Sequence, residues 1–187
     1  MNAKTLQIED MLDATLELER YGKTEEAILA YTDLIKIAPD SSVFYYNRGK
    51  AKRRLDDHEG AIEDYLKAIE IDNDRVAYIV SLAVSYSYLD RIEEAIKEYK
   101  KAIKVAPNYA MSYYNLGGIY AEQKKYDKAI ELFETSLYYS PKYTKAMMGL
   151  GDLYVELNDM DNACKWFKRA EDAGESRAFG KRVRTCN

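Results

Sequence analysis

An all-α solenoid of five tandem helix-turn-helix repeats, closed by a short C-terminal capping helix, is the fold this 187-residue sequence predicts. Two observations carry that prediction. Ala27, Ala61, Ala95, Ala129 and Ala163 recur every 34 residues, and an aromatic ring follows each four residues later: Tyr31, Tyr65, Tyr99, Phe133 and Phe167. A period held this long marks one supersecondary unit stacked repeatedly, because a lone helix pair cannot bury its apolar face without its neighbours. The second observation is the phase of Pro39, Pro107 and Pro141, the chain's only prolines. All three fall where the second helix of a unit must stop, since proline lacks an N–H and disfavours helical geometry in the residue before it.

The elements follow in order. Residues 1–7 form an N-terminal extension, and the repeats run 8–41, 42–75, 76–109, 110–143 and 144–177. Residues 178–187 are a cap or tail, and 8–187 make one continuous solenoid domain. In the fourth repeat Tyr113, Leu116, Gly117 and Tyr120 mark the first helix, and Tyr126, Ala129, Ile130, Phe133 and Leu137 the second. Spacings of three and four in both halves are those of amphipathic helices. Gly22 sits where the first helix of repeat one reverses, a position that tolerates positive φ. Asp56, Asp90, Lys124 and Asn158 fill that phase in the other repeats. An acid opens each second helix (Glu25, Glu59, Glu93, Asp127, Asp161), where it meets exposed N–H groups and the positive dipole end. After Gly174, Ser176 is expected to cap a final helix over 177–184. Its Ala178, Phe179 and Val183 are expected to cover the open end of the stack, with a basic binding arm (Lys181, Arg182, Arg184) as the rival reading.

These residues resemble the tetratricopeptide repeat family, whose pattern is a large residue, Leu-Gly and Tyr in the first helix, then Ala, an aromatic, a small residue and Pro in the second. Repeat four fits nearly throughout with Tyr113, Leu116, Gly117, Tyr120, Ala129, Phe133, Ser136 and Pro141. Repeat three offers Ile79, Leu82, Ala83, Tyr86, Ala95, Tyr99, Ala102 and Pro107, and repeat five Met147, Leu150, Gly151, Tyr154, Ala163, Phe167 and Ala170. Repeat one departs most, with Met11, Ala14, Thr15 and Leu18 before Ala27, Tyr31, Leu34 and Pro39. The resemblance implies a right-handed superhelix whose first helices line a concave groove.

Charged residues make up 32% of the chain, and a net charge of −4 gives no pull towards nucleic acid or an anionic membrane. The N-terminal stretch MNAKTLQIEDML has no long apolar run, so neither a signal peptide nor a membrane span is expected. Two cysteines suit a reducing cytosol better than a disulfide scaffold. Cys164 takes the phase of Ile62, Ile96 and Ile130 and reads as a small core residue, and Cys186 lies in the tail. A contact between the two remains open.

Nothing here has the constellation of an enzyme. The only histidine, His58, opens a second helix, at the phase of Thr24, Ile92, Tyr126 and Met160. No Ser/Cys–His pairing, no Cys-x-x-Cys and no Gly-rich phosphate loop accompanies it, and no cofactor or metal is expected.

Carrying the family's groove positions onto this sequence selects Val43, Tyr46, Lys50, Arg53 and Arg54 in repeat two, and Ala77, Val80, Val84, Ser87 and Tyr88 in repeat three. Repeat four supplies Met111, Tyr114, Gly118, Ala121 and Glu122, and repeat five Lys145, Met148, Asp152, Val155 and Glu156. The candidate partner-binding residues are Tyr46, Lys50, Arg53, Arg54, Val80, Val84, Tyr88, Met111, Tyr114 and Met148. The implied groove is apolar and aromatic in the middle, basic at repeat two and acidic at repeat five. Arg48 and Lys52 replace the frame's usual Leu and Tyr and are expected to pair with Glu63 or Asp64. The two-carboxylate clamp that some members use for chaperone C-termini is absent: Asn47 and Asn115 keep its middle phase, but Leu12, Leu16, Val80 and Val84 stand where its Lys and Asn would. The expected function is a cytoplasmic adaptor holding a peptide or helix of a partner protein. Self-association, as a homodimer or end to end, is the alternative. RNA binding is a third, weaker reading for want of a long basic track with stacking aromatics.

Overall fold

The computed structural model describes residues 3–186. Among them run eleven α-helices and no strand, in five hairpins and a closing helix: α1 (Ala3–Arg20) with α2 (Thr24–Ile37), α3 (Ser42–Arg54) with α4 (His58–Ile71), α5 (Val76–Tyr88) with α6 (Ile92–Val105), α7 (Ala110–Glu122) with α8 (Tyr126–Tyr139), α9 (Thr144–Glu156) with α10 (Met160–Asp172), and α11 (Ser176–Thr185). This is the predicted fold class.

The turn inside every hairpin uses the phase singled out above. Gly22 has φ 71°, and Asp56, Asp90, Lys124 and Asn158 lie between 57° and 59°. Each turn closes a paired C-terminal motif, as where Gly22 N–H donates to Glu19 O at 3.1 Å and Lys23 N–H to Leu18 O at 2.9 Å. Asp57 and Asp159 cap the helices that follow, accepting from Gly60 N–H at 2.9 Å and Asn162 N–H at 3.1 Å. Helices α2, α6 and α8 each stop two residues before a proline.

The chain divides within α6 into two compact units, the first through Glu98 and the second from Tyr99. The 34-residue period becomes packing in the same way in both. All five period alanines are fully buried, and the aromatic rings that follow them are at most 3% exposed. A ring of this set presses on the first helix of its own repeat, which explains the glycines there. A Cβ at Gly49 would lie 2.8 Å from the Tyr65 ring, one at Gly117 2.9 Å from Phe133, and one at Gly151 would run into Phe167. In the first unit Ala27, Tyr31, Leu34 and Phe44 pack with Ile8, Met11, Leu12 and Leu18. In the second, Phe133, Leu137, Met147, Leu150, Leu153 and Phe167 form one cluster, to which α11 contributes Ala178.

Two expectations for the C-terminal helix need correcting, and the contact left open between the cysteines is made. Its N-cap is Glu175, whose carboxylate accepts from Arg177 N–H, and Ser176 is the first helical residue. Only Ala178 is buried; Phe179 and Val183 point to solvent at 54% and 39% exposure. They lie on the outer face of α11, away from the side that docks. Cys164 and Cys186 are joined by a disulfide, so the tail is tied to α10 covalently.

Candidate functional site

In the first unit the groove positions lie on α3 and α5. Beneath them sits a buried ion cluster. Asp64 on α4 accepts from Arg48 Nε through Oδ2 at 2.9 Å and from Arg48 Nη2 through Oδ1 at 2.6 Å, and Lys52 Nζ lies 2.9 Å from the same Oδ2. Arg48 also donates to Thr32 Oγ1 at 3.1 Å. Its hydrogen bond to Asp64 holds the guanidinium pKa above its ordinary value. Of the two partners expected for these cations, Asp64 is the one used. Two cations thus share one carboxylate, with Lys52 Nζ also donating to Gly60 O at 3.2 Å, and the cluster ties α3 to α4.

Tyr46 packs its ring 4.6 Å from Tyr78 and 5.8 Å from Tyr65, with the Lys50 ammonium 5.4 Å above it. Arg53 is half-buried and its Nε has no hydrogen-bond partner; the Tyr65 hydroxyl beside it is likewise unpaired. Arg54 is exposed and paired, 3.1 Å from Glu19. Val80 is 3% exposed and leaves the candidate face. Val84 is half-buried. Tyr88 is 68% exposed, and one side of its ring stacks on His58 at 4.6 Å, 12° from parallel. His58 itself is buried, with Nδ1 unpaired and Nε2 3.9 Å from Asp56. This stack was missed because its two residues sit 30 apart, at phases the repeat pattern does not link.

The second unit places Met111 on the outside of α7 and Tyr114 half-buried, edge-on to Tyr143 at 5.3 Å. Burial pushes the Tyr143 hydroxyl up to about 12. Met148 is buried in the core cluster and is also removed from the face. The acid expected at repeat five is partly spent, because Asp152 is bonded to Lys181 of α11.

Position within the first helix sorts these outcomes. Tyr46, Val80, Tyr114 and Met148 share its fifth position, and all four are buried or half-buried. Tyr46 shows why: its ring lies against Tyr78 on the next first helix of the same unit. Val43 and Met111, at the second position, and Tyr88, at the thirteenth, are exposed. Among the described residues no group of three or more His, Cys, Asp or Glu side chains converges as metal ligands would. No helix among them is long and apolar enough to cross a membrane.

The tetratricopeptide repeat family model matches residues 74–142 and 109–176, and a second model of the same repeat matches 42–74. The chain belongs to the tetratricopeptide repeat family. No curated protein matches it. Among solved structures, a crystal structure of MamA is 28% identical, with 87% of this chain and 95% of that one covered at a TM-score of 0.73. PilF of Pseudomonas aeruginosa is 19% identical over 98% of this chain and 89% of its own, with a TM-score of 0.81. YrrB, described as a tetratricopeptide repeat protein with an unusual peptide-binding site, is 17% identical over 97% and 98%, with a TM-score of 0.68. The last two show the fold alone. Family and fold together make this tetratricopeptide repeat protein an interaction scaffold for other proteins.

Proposed function

We propose that the protein is an adaptor whose first-helix faces, one on each unit, hold short apolar segments of partner proteins in extended or helical form. The observation that carries this reading is the exposure of Tyr88 and Met111, neither of which the repeat frame requires. Large rigid rings and adaptable thioethers are the side chains that anchor partners at such surfaces. On the first unit Val43 and Val84 extend the apolar surface. Lys50 over Tyr46 and the half-buried Arg53 favour a segment with an acidic flank, since exposed charge mainly steers and orients. On the second unit Met111 and Tyr114 form the smaller face. YrrB, with its peptide-binding site, is a precedent for the mode and no more than that.

A displayed peptide library selected against the intact chain tests this. Peptides recovered are titrated against Tyr88→Ala, Lys50→Glu and Met111→Ala, so that each unit's face is judged by its own variants. Loss of an anchor is expected to weaken binding by roughly tenfold or more with thermal melts unchanged. Equal affinities for parent and all three variants overturn the reading. Light scattering that shows mass rising with concentration in the absence of peptide turns the argument to self-association. Retention of RNA that falls steeply with salt turns it to nucleic acid. The Cys164–Cys186 bond removes the scarcity of cysteine as a ground for a reducing, cytoplasmic setting.

A further inference from the structure

We propose that Cys164 and Cys186 form a thiol–disulfide exchange site, and that a dithiol reductant acting on it releases α11 from the second unit. Cys164 stands on α10 and Cys186 just beyond the end of α11, with Cα atoms 5.8 Å apart. Both residues are half-buried, so the bond is not sealed inside the core. Partial exposure leaves the bond within reach of a thiol reductant, and exposed disulfides are the more readily reduced class.

The rest of the α11 seam is thin. One side chain, Ala178, enters the core beside Ala163, Phe167 and Ala170. Phe179 and Val183 are only partly covered, 54% and 39% exposed. Lys181 also lies 5.7 Å over the Phe167 ring, and two surface ion pairs add to the seam: Lys181 with Asp152, and Arg182 with Glu171 at 2.7 Å. Partly solvated pairs of this kind hold little. The disulfide spans a sequence separation of 22 residues that takes in most of α10, the turn at Gly174 and the whole of α11. Cutting it restores to that segment the freedom the bond removes.

The chemistry balances without a metal or a cofactor. One thiolate of the dithiol attacks a sulfur of the protein disulfide, and the other cysteine leaves as a thiolate and takes up a proton. The reductant's second thiol then attacks the mixed disulfide, freeing the remaining cysteine and closing the reductant into its own disulfide. Two electrons and two protons pass from reductant to protein, and a disulfide oxidant such as glutathione disulfide runs the sequence backwards. Release of α11 bares the Ala163, Phe167 and Ala170 side of α10. It also parts Lys181 and Arg182 from their acids, so one step exposes an apolar surface and frees a basic helix.

The intact chain, equilibrated with glutathione disulfide or with dithiothreitol, tests this by iodoacetamide labelling after denaturation and by hydrogen exchange before it. The oxidised form is expected to take no label and the reduced form two. Exchange of α11 amides should speed by about tenfold or more on reduction, with α7 and α8 unchanged. The double variant Cys164→Ser/Cys186→Ser should match the reduced parent in α11 exchange under both conditions and take no label. The reduced parent needs no substitution, so the measurement stands even if that variant folds poorly. Two labelled thiols after glutathione disulfide treatment, or identical α11 exchange in both redox states, overturn the proposal.

Discussion

At the phases where α7 carries Leu116 and Tyr120, α3 carries Arg48 and Lys52, and the facing position on the second helix is Leu132 in one and Asp64 in the other. Repeat five repeats the apolar solution with Leu150, Tyr154 and Trp166, packed in the second unit's core. The period rings vary as well: Tyr31 and Tyr65 in the first unit keep buried hydroxyls beside Glu19 and Arg53, and in the second Tyr99 keeps a hydroxyl whereas Phe133 and Phe167 have none. One backbone plan therefore accepts two fillings, polar and wired in repeat two of the first unit, apolar in repeats four and five of the second, with a covalent tie to α11 in repeat five. The wired filling is specific but brittle, because a charge sealed from water depends on every partner being present.

Asp64→Ala should produce the largest break in this contrast. It strands Arg48 and Lys52 under the first helices, and about 3–5 kcal/mol of stability should be lost. Urea melts read together with hydrogen exchange should show the loss in the first unit, and equal loss in both would dissolve the distinction. The triple exchange Arg48→Leu, Lys52→Tyr and Asp64→Leu imports the second unit's solution. It should be neutral or stabilising by about 1–4 kcal/mol. If it destabilises as much as Asp64→Ala, the two fillings are not interchangeable.

Gly151→Ala probes the other unit, where a methyl meets the Phe167 ring. Overpacking of about 1–3 kcal/mol is expected, visible as a lower denaturation midpoint with faster exchange in α9 and α10. Gly118→Ala makes the matched control. No atom lies within 4 Å of the Cβ it would add, so it should gain about 1 kcal/mol from helix propensity alone.

The smallest effect is expected from Tyr65→Phe. Removing a buried hydroxyl without a partner should shift stability at pH 7 by less than about 1 kcal/mol. In alkali the parent should fall behind. Burial pushes the Tyr65 hydroxyl up to about 12 from an ordinary 10.0, so the unfolded chain loses that proton first. The associated stability is present below pH 10 and drains away as pH rises towards 12. The phenylalanine variant should escape that part of the decline, which melts at pH 9 and pH 11 (both about one unit from the ordinary value) would reveal.

How much of this was legible beforehand differed between the frame and the faces. The 34-residue period, the helices, the proline stops and the five positive-φ turns follow from local backbone chemistry and from a small–large pairing repeated in register, so the sequence by itself determined them. The partners of the remaining side chains were decided by tertiary structure. Val80 and Met148 are as apolar as Val84 and Met111, yet only the first two are sealed in. Arg54 finds Glu19 35 residues away, Tyr88 finds His58, and Cys164 finds Cys186. Each outcome depends on the reach and direction of a side chain on another helix. A repeat period says where helices return to one another, but the choice between neighbour and solvent at each position is made by packing.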